Sequence, residues 1–282
     1  MRRHVVSLVV VLTLCTVPAA QQPAFDVASI RPNPDATGNG EINPRPNGRF
    51  LATAATVRAL ILRAYGLHET QLTGGPAWIG ADRFDIDARA ATAPRDGPDA
   101  LLPMLRTLLS ERFRLRAHTE MRELPAFVLT HARRDQRLGP QVRPTQADCT
   151  ENRTVPTDTE IRAAARDGWP PCGMVYVVSY TTGGPDGVVK TRFRRSASLM
   201  KDFAQSLQNQ VGRPVVDRTG LDGRWDIEYS FAPRPAADVP GFAENVPSLG
   251  AALEEQLGLK LDSERTDVPV LVIDSVDRPT EN

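Results

Sequence analysis

The sequence predicts an α+β fold made of two copies of one unit, with mainly antiparallel or mixed sheets and helices on one face. Short stretches alternate between apolar and polar residues, which is typical of half-buried strands. Between them, apolar residues recur at the spacing of amphipathic helices. The order of these segments then repeats, because a shift of 144 residues lays Pro125 on Pro269 and Phe113 on Leu257.

The first copy is predicted to follow the order β-β-α-β-α-β-β. Residues 32–48 are rich in Pro, Asn and Gly and predict a loop, and a turn is predicted near Pro125. Either Thr53 or Thr56 could cap the first helix, which Gly66 should end. The predicted strands are 25–30, 49–52, 83–90, 114–119 and 127–131, and the predicted helices are 57–64 and 101–113.

The second copy is predicted to repeat this order, and its clearest strand is 225–231. Every second residue of that strand is apolar and should face the core, whereas Asp226, Glu228 and Ser230 should face the other side. The other predicted strands are 174–180, 189–194, 215–216, 259–263 and 268–276, and the predicted helices are 199–207 and 249–257.

These segments divide the chain into four parts. Residues 1–20 are predicted to be a signal peptide, 21–132 the first α+β repeat, and 173–282 the second. Between the repeats, residues 133–172 form a Pro-rich connection that could hold a helix at 159–166. Whether the two repeats share one sheet is left open by the sequence.

The first twenty residues have the composition of a targeting signal. Arg2 and Arg3 precede an apolar run at 5–17, and the small residues Ala19 and Ala20 offer a cleavage site. The apolar run is too short to span a bilayer of roughly 30 Å, and no later run is longer. We therefore expect an exported, periplasmic or secreted protein whose mature chain has no transmembrane segment.

The composition argues against several classes of partner. The 34 Lys and Arg residues balance 34 Asp and Glu residues, so there is no electrostatic case for nucleic acid or an anionic membrane. The Gly pairs at 74–75 and 183–184 are too short for a phosphate-binding loop and lack a following Lys-Ser or Lys-Thr. We expect no cofactor.

The cysteines predict one disulfide. Cys15 lies within the signal segment after the bulky Leu14, where lipid attachment is not expected. Cys149 and Cys172 remain, and in an exported protein an isolated pair is most simply a disulfide. The alternative, a metal or redox site, lacks C-x-x-C spacing and nearby histidines.

Five motifs occur in order along the mature chain: Phe25-Asp-Val-Ala-Ser-Ile-Arg-Pro-Asn, Gly74-Gly-Pro-Ala-Trp with Arg83-Phe-Asp-Ile, Leu109-Ser-Glu-Arg-Phe-Arg-Leu, Arg122-Glu-Leu-Pro and Gly212-Arg-Pro-Val-Val-Asp-Arg-Thr-Gly-Leu-Asp-Gly-Arg-Trp-Asp. Together they resemble an exported protein family of the Solibacter-type soil acidobacteria, which is a domain of unknown function. The resemblance implies a location and a fold, and no reaction. Because some members look paired with sensor-type membrane metallopeptidases, it also implies an envelope protein or such a peptidase as a partner.

Two groups of residues are candidates for chemistry. Asp217, Arg218, Asp222 and Arg224 cluster around a Gly-rich turn and could form a binding patch, or they could simply stabilise that turn. His118 and Glu120 share one strand face and are the best candidates for catalysis, although a solvated polar face beside Arg116 explains them better. No metal-binding motif and no nucleophile elbow is present in the sequence.

These observations favour an exported, non-catalytic module of the cell envelope that binds or senses an unknown ligand. A hydrolase that acts on an envelope or extracellular polymer is the first alternative, with His118 and Glu120 as its candidate residues. A structural extracellular protein is the second alternative. The sequence predicts no catalytic residue for the preferred function.

Overall fold

The computed structural model describes residues 22–38, 40–45, 47–93, 97–149, 168–182, 188–232 and 247–279. The described part is an α+β fold with antiparallel and mixed sheets, which confirms the predicted class. The predicted signal peptide at 1–20, with Cys15, and the helix considered at 159–166 lie outside the described residues.

Within the described residues, the first half of the chain forms six strands and three helices. Thr56 is the N-cap of α1 and accepts the Ala59 N–H at 3.2 Å, and Gly66 ends α1 in the left-handed conformation. The elements are β1 (Val27–Pro32), β2 (Glu41–Pro44), β3 (Arg49–Thr56), α1 (Val57–Tyr65), β4 (Leu72–Gly74), α2 (Trp78–Ala81), β5 (Arg83–Arg89), α3 (Leu102–Arg112) and β6 (Arg116–His131), with 3-10 turns at Glu69–Gln71 and Pro98–Leu101.

The described residues of the second half form six further strands. Two helices are described here, and the second continues as a π-helical turn, Leu253–Leu257, which Gly258 ends. The elements are β7 (Val142–Pro144), β8 (Val175–Thr182), β9 (Val188–Ser198), α4 (Met200–Val211), β10 (Val215–Asp217), β11 (Trp225–Phe231), α5 (Leu249–Ala252) and β12 (Leu259–Ser275).

Two outer sheets have corresponding strand orders. The first is β1-β5-β3-β2, the third is β7-β11-β9-β8, and all their strand pairs are antiparallel. Strands β1, β2, β3 and β5 of the first sheet correspond to β7, β8, β9 and β11 of the third sheet, in the same chain order. This correspondence supports the predicted duplication. The unit that they define is β-β-β-α-β-β-α-β, with α2 added in the first half. The bounds of the copies stay a prediction, although β7 lies within the predicted connection, at the place that β1 has in the first sheet.

The central sheet, β10-β6-β12-β4, is built from both halves. Strands β6 and β12 are antiparallel along almost their whole length. At one edge β10 pairs in parallel with β6, and at the other edge β4 pairs in parallel with β12. Glu123 faces Asp267 near the middle of the β6–β12 ladder, and these two residues are separated by the same shift of 144 (123 to 267). The two halves therefore meet there about an approximate twofold axis.

Three predictions of local structure are wrong. The predicted loop at 32–48 contains β2, and the predicted strand pairs at 114–131 and 259–276 are each one continuous strand. Pro125 does not break β6, because its nitrogen points away from β12, towards the edge of β6 that β10 covers. At Pro125 that edge has no neighbouring strand among the described residues, since β10 pairs with β6 only from Phe127 onwards. Two residues later, the Phe127 N–H donates to the Pro214 carbonyl at that edge, at 2.8 Å. Pro125 therefore costs β6 no hydrogen bond of the ladder.

The two halves have separate cores, and both use the same face of the central sheet. In the first half, α1 and α3 pack with Leu271 and Ile273 of β12. In the second half, α4 and the π-helical turn pack with Leu129 of β6 and Leu259 of β12. These four residues share one face of the β6–β12 ladder because residues two apart in a strand point to the same side.

Direct contacts join the two halves beyond the central sheet. The side-chain amides of Gln205 and Gln208 in α4 donate to the Gly66 carbonyl at the end of α1. Gly97 packs so closely on Gly173 that a Cβ at Gly97 would lie 2.6 Å from the Gly173 carbonyl oxygen. Next to Gly173, the disulfide between Cys149 and Cys172 is confirmed, with the two Cα atoms 5.7 Å apart.

Candidate functional site

The motif Arg-aromatic-Asp-Ile, which occurs at 83–86 and 224–227, stabilises an unusual backbone conformation in each outer sheet. Ala54 in β3 and Ala197 in β9 have φ angles of 51° and 53°, which side chains other than glycine rarely adopt. Asp85 accepts the Ala54 N–H at 2.8 Å, and the guanidinium of Arg83 donates to the Ala54 carbonyl at 2.8 Å. The motif therefore binds both polar groups of one residue.

The second motif makes the same contacts to Ala197. Asp226 accepts the Ala197 N–H at 3.1 Å, and Arg224 donates to the Ala197 carbonyl at 3.0 Å. Ser196 also donates its hydroxyl to Asp226, at 3.3 Å. Arg224, one of the predicted binding residues, thus lies in a contact that stabilises β9.

Two more of the predicted binding residues contact the Gly-rich turn itself. Asp217 accepts hydrogen bonds from the backbone N–H and the hydroxyl of Thr219, at 2.9 and 2.8 Å. The backbone carbonyl of Asp222 accepts the indole N–H of Trp225 at 3.0 Å. These contacts match the structural interpretation of the turn. The structure brings the four residues close together at this turn, and it directs the side chains of Asp217, Arg218 and Arg224 to different partners.

Arg218 differs from the other three, because it reaches the central sheet. Its guanidinium donates to Glu264 at 2.7 Å and also to the hydroxyl of Thr266. Both partners lie on β12, on the face of the β6–β12 ladder opposite the two cores. About half of the Arg218 side chain is exposed.

His118 and Glu120 lie on that same face, at the other end of the ladder. The Nδ1 of His118 is 2.8 Å from Asp274 and its Nε2 is 3.2 Å from Glu120. Arg122 donates two hydrogen bonds to the second oxygen of Glu120, at 2.9 and 2.6 Å. The carboxylates of Glu120 and Asp274 raise the pKa of His118, and Arg122, followed by His118, lowers the pKa of Glu120.

We call this surface the charged face. An apolar row runs through it, and three of its members are almost fully buried: Ala126, Val268 and Val270. The groups that the face presents to solvent are therefore the charged ones, each of them roughly half exposed. They include His118, Glu120, Arg122, Arg218, Glu264 and Asp274, and the Lys260–Asp262 ion pair next to Glu264.

The charged face is better suited to binding than to acid–base catalysis. A general base needs a ring nitrogen that can reach a substrate proton, but both ring nitrogens of His118 contact carboxylates. Among the described residues, no group of His, Cys, Asp or Glu has an arrangement that could hold a metal ion. The charged face therefore presents several exposed ion pairs, and Lys260–Asp262 lies beside Arg218–Glu264 among them.

A shallow cavity of about 530 Å³ lies on the outer side of the first sheet. Arg49 and Asp87 form an ion pair at 2.6 Å within it, with both side chains about half exposed. The guanidinium of Arg49 donates two hydrogen bonds to the carboxylate of Asp87, so this acid is already paired. Its lining residues are Val27, Ala28, Ser29, Arg49, Asp87 and Arg89.

The helices of the described segments give no sign of a membrane span, because none of them is both long and apolar enough to cross a bilayer.

A comparison with family models finds a match to "Protein of unknown function (DUF3738)" over residues 58–276. No curated protein and no solved structure matches the chain. The match confirms the expected likeness to a domain of unknown function. The origin in soil acidobacteria stays a prediction.

Proposed function

Because the chain belongs to the DUF3738 family of unknown function, we propose its role from its own surface. The protein is an exported, non-catalytic binding module of the cell envelope that contacts a protein partner through the charged face. The observation that carries this proposal is the arrangement of the central sheet. Both cores pack on one side of it, and the other side presents ion pairs from both halves of the chain.

The proposal of export rests on the N-terminal pattern and on the disulfide. Arg2, Arg3 and the apolar run at 5–17 have the order of a signal peptide. A disulfide between Cys149 and Cys172 persists most readily in an oxidising compartment outside the cytosol. An envelope protein or a sensor-type membrane metallopeptidase is therefore our proposed partner.

Charge complementarity is the mode of recognition that this face supports. Each end of the ladder presents charges of both signs. One end carries the cation of Arg122 beside the anions of Glu120 and Asp274. The other end carries the cation of Arg218 beside the anion of Glu264. Exposed charges of both signs in a fixed pattern select a partner with the opposite pattern and accelerate its association. The rigid β6–β12 ladder keeps the two ends at a constant separation.

In-cell cross-linking of the tagged mature protein, followed by mass spectrometry, tests the proposal. We expect the wild type to capture one specific envelope protein and Arg218→Glu to capture at least fivefold less of it. Arg265→Glu is the matched control, because Arg265 also forms an exposed ion pair, with Glu123, on the opposite face of the same ladder. Equal losses in both variants, or capture of no specific protein, would contradict the proposal.

A further inference from the structure

We propose that Arg195 anchors a second binding site, which takes a small monocarboxylate with an apolar chain or ring. The Arg195 site consists of Arg195, Val175, Val177 and Phe193, with Asp99 and Asp202 at its rim. It lies on the third sheet, away from the charged face, and does not depend on the proposed function.

The first argument is that Arg195 is a partly buried cation without a partner. It lies on β9 opposite Ile227, a fully buried core residue, and therefore on the side of the sheet that faces the core. Its Nε is buried and has no hydrogen-bond acceptor. Within the part of the chain that the structure describes, its guanidinium makes no hydrogen bond and no ion pair.

A guanidinium in this position requires an acceptor. Burial lowers the pKa of Arg195, yet arginine stays protonated in proteins because its ordinary pKa is so high. The buried Nε–H is the donor that water does not satisfy. A planar carboxylate that accepts two parallel hydrogen bonds is the partner that fits this group best.

The neighbouring acids do not fill this role. Asp99, from the first half, attracts Arg195, but it is already in an ion pair with Arg63. Asp202, in the first turn of α4, also attracts Arg195 without forming an ion pair with it, and burial raises the pKa of Asp202. Both acids repel a doubly charged phosphate more strongly than a single carboxylate, which favours a monocarboxylate.

Apolar surface lies next to the guanidinium. In the ladder between β8 and β9, Val175 faces Arg195 and Val177 faces Phe193, so these four side chains share one side of the sheet. Val175 and Val177 are 40% and 53% exposed, although this is the side on which the core lies. The apolar part of a ligand can cover these valines while its carboxylate reaches Arg195.

The site also lies where the two halves of the chain meet. Gly97 packs on Gly173 and brings the turn that holds Asp99 next to β9. Gly173 in turn donates its N–H to the carbonyl of Ser196, the residue after Arg195, at 3.0 Å. A ligand bound to Arg195 would therefore contact both halves.

Calorimetric titration of the mature protein with octanoate tests the proposal, with octanol and inorganic phosphate as comparison ligands. We expect saturable binding of octanoate to the wild type, and binding at least tenfold weaker for octanol and for phosphate. Arg195→Met should weaken octanoate binding at least tenfold. This variant is expected to fold, because methionine suits a buried site.

A second variant keeps the test informative if Arg195→Met is unstable. Val177→Asp changes an exposed position, so it should leave the fold intact, and its negative charge should also weaken octanoate binding at least tenfold. Arg49→Gln, on the outer side of the first sheet, is the control and should bind octanoate like the wild type. The proposal is overturned if the wild type does not bind octanoate. Unchanged binding in the folded variants would also overturn it.

Discussion

The carboxylate of Asp226 accepts the backbone N–H of Ala197 at 3.1 Å, at a point where β9 takes a left-handed conformation. The contact lies next to a register irregularity between β9 and β11. Asp85 and Ala54 form the same contact in the first sheet, again next to a register irregularity. A bulge of this kind bends its strand, and in both halves the bulged strand leads directly into a helix, α1 or α4.

The first prediction concerns this contact. Asp226→Ala should lower the free energy of unfolding by about 2 kcal/mol, because the buried N–H of Ala197 and the hydroxyl of Ser196 would lose their acceptor. Urea unfolding monitored by circular dichroism measures the change. Asp267→Ala, at an exposed position of β12, is the control and should change the free energy by less than about 0.5 kcal/mol. If the two variants were equally stable, the contact would have no structural role.

The repeat made this part of the fold predictable. Asp85 and Asp226 each lie between an aromatic residue and an isoleucine in matching positions of the two copies. The alternation in 225–231 correctly placed Ile227, Tyr229 and Phe231 in the core. The bond partner of Asp226, however, is 29 residues away and depends on the register between β9 and β11. A sequence pattern does not fix that register.

The central sheet was harder to predict, because proline was interpreted as a strand breaker. Pro125 and Pro269 lie inside β6 and β12, and only the position of the neighbouring strand shows that their missing N–H groups cost nothing. The short strands β2 and β4 were missed because three or four residues carry too little alternation to be recognised.

The candidate sites show the same limit. Asp217, Arg218, Asp222 and Arg224 were selected because they are close in sequence, yet Arg218 alone of these side chains contacts the charged face. Arg195 was missed among several arginines of one strand. Arg195 lies two residues from Phe193 in the same strand, so the sequence places its side chain on the same side as an aromatic residue of the core. A charged residue on that side is the feature that could have identified it.

The second prediction concerns the pH dependence of His118. Its pKa is raised above the ordinary value of about 6.5 by Glu120 and Asp274. The folded state therefore binds the proton of His118 more tightly than the unfolded state does. The stabilisation of the fold by protonated His118 is fully present below about pH 6.5 and is lost as pH rises through the pKa of the folded state. The stability difference between the wild type and His118→Gln should be larger at pH 5.5 than at pH 9. Urea unfolding at both pH values measures it.

An NMR titration of the histidine ring gives an independent measurement of the same group. The midpoint for His118 should lie above about 6.5, and Asp274→Asn should move it down because one of the two carboxylates is lost. Thr130→Ser, at the other end of β6, is a control that should leave the midpoint unchanged. A wild-type midpoint at or below 6.5 would contradict the geometry of the cluster.

The third prediction concerns the disulfide between Cys149 and Cys172, which are 23 residues apart in the chain. Replacing both cysteines with serine should lower the free energy of unfolding by about 3 kcal/mol, because the unfolded chain gains conformational freedom. Urea unfolding with and without a reductant provides the control. The reductant should destabilise the wild type to the level of the double variant and leave the double variant unchanged. Two reactive thiols in the unfolded, unreduced mature protein would contradict the bond.

The fourth prediction concerns the contact between Gly97 and Gly173. Gly97 has a φ of 83°, and a Cβ there would lie 2.6 Å from a backbone oxygen, which cannot rotate away as a side chain can. Gly97→Ala should therefore lower the free energy of unfolding for two reasons. An alanine in the left-handed conformation costs about 1–2 kcal/mol, and the overpacking against Gly173 costs roughly a further 1–3 kcal/mol.

Gly220→Ala is the matched control for this prediction. Gly220 has a φ of 68°, and a Cβ there would meet no atom within 4 Å, so the variant should show the backbone cost alone. The difference between the two variants in urea unfolding then measures how firmly the turn at Gly97 is held against the second half. Because the Gly173 N–H bonds to the Ser196 carbonyl, a displaced Gly173 would also disturb β9 next to Arg195. Equal destabilisation by the two variants would mean that the turn at Gly97 moves away freely, and that the halves are joined by the central sheet and α4 without this contact.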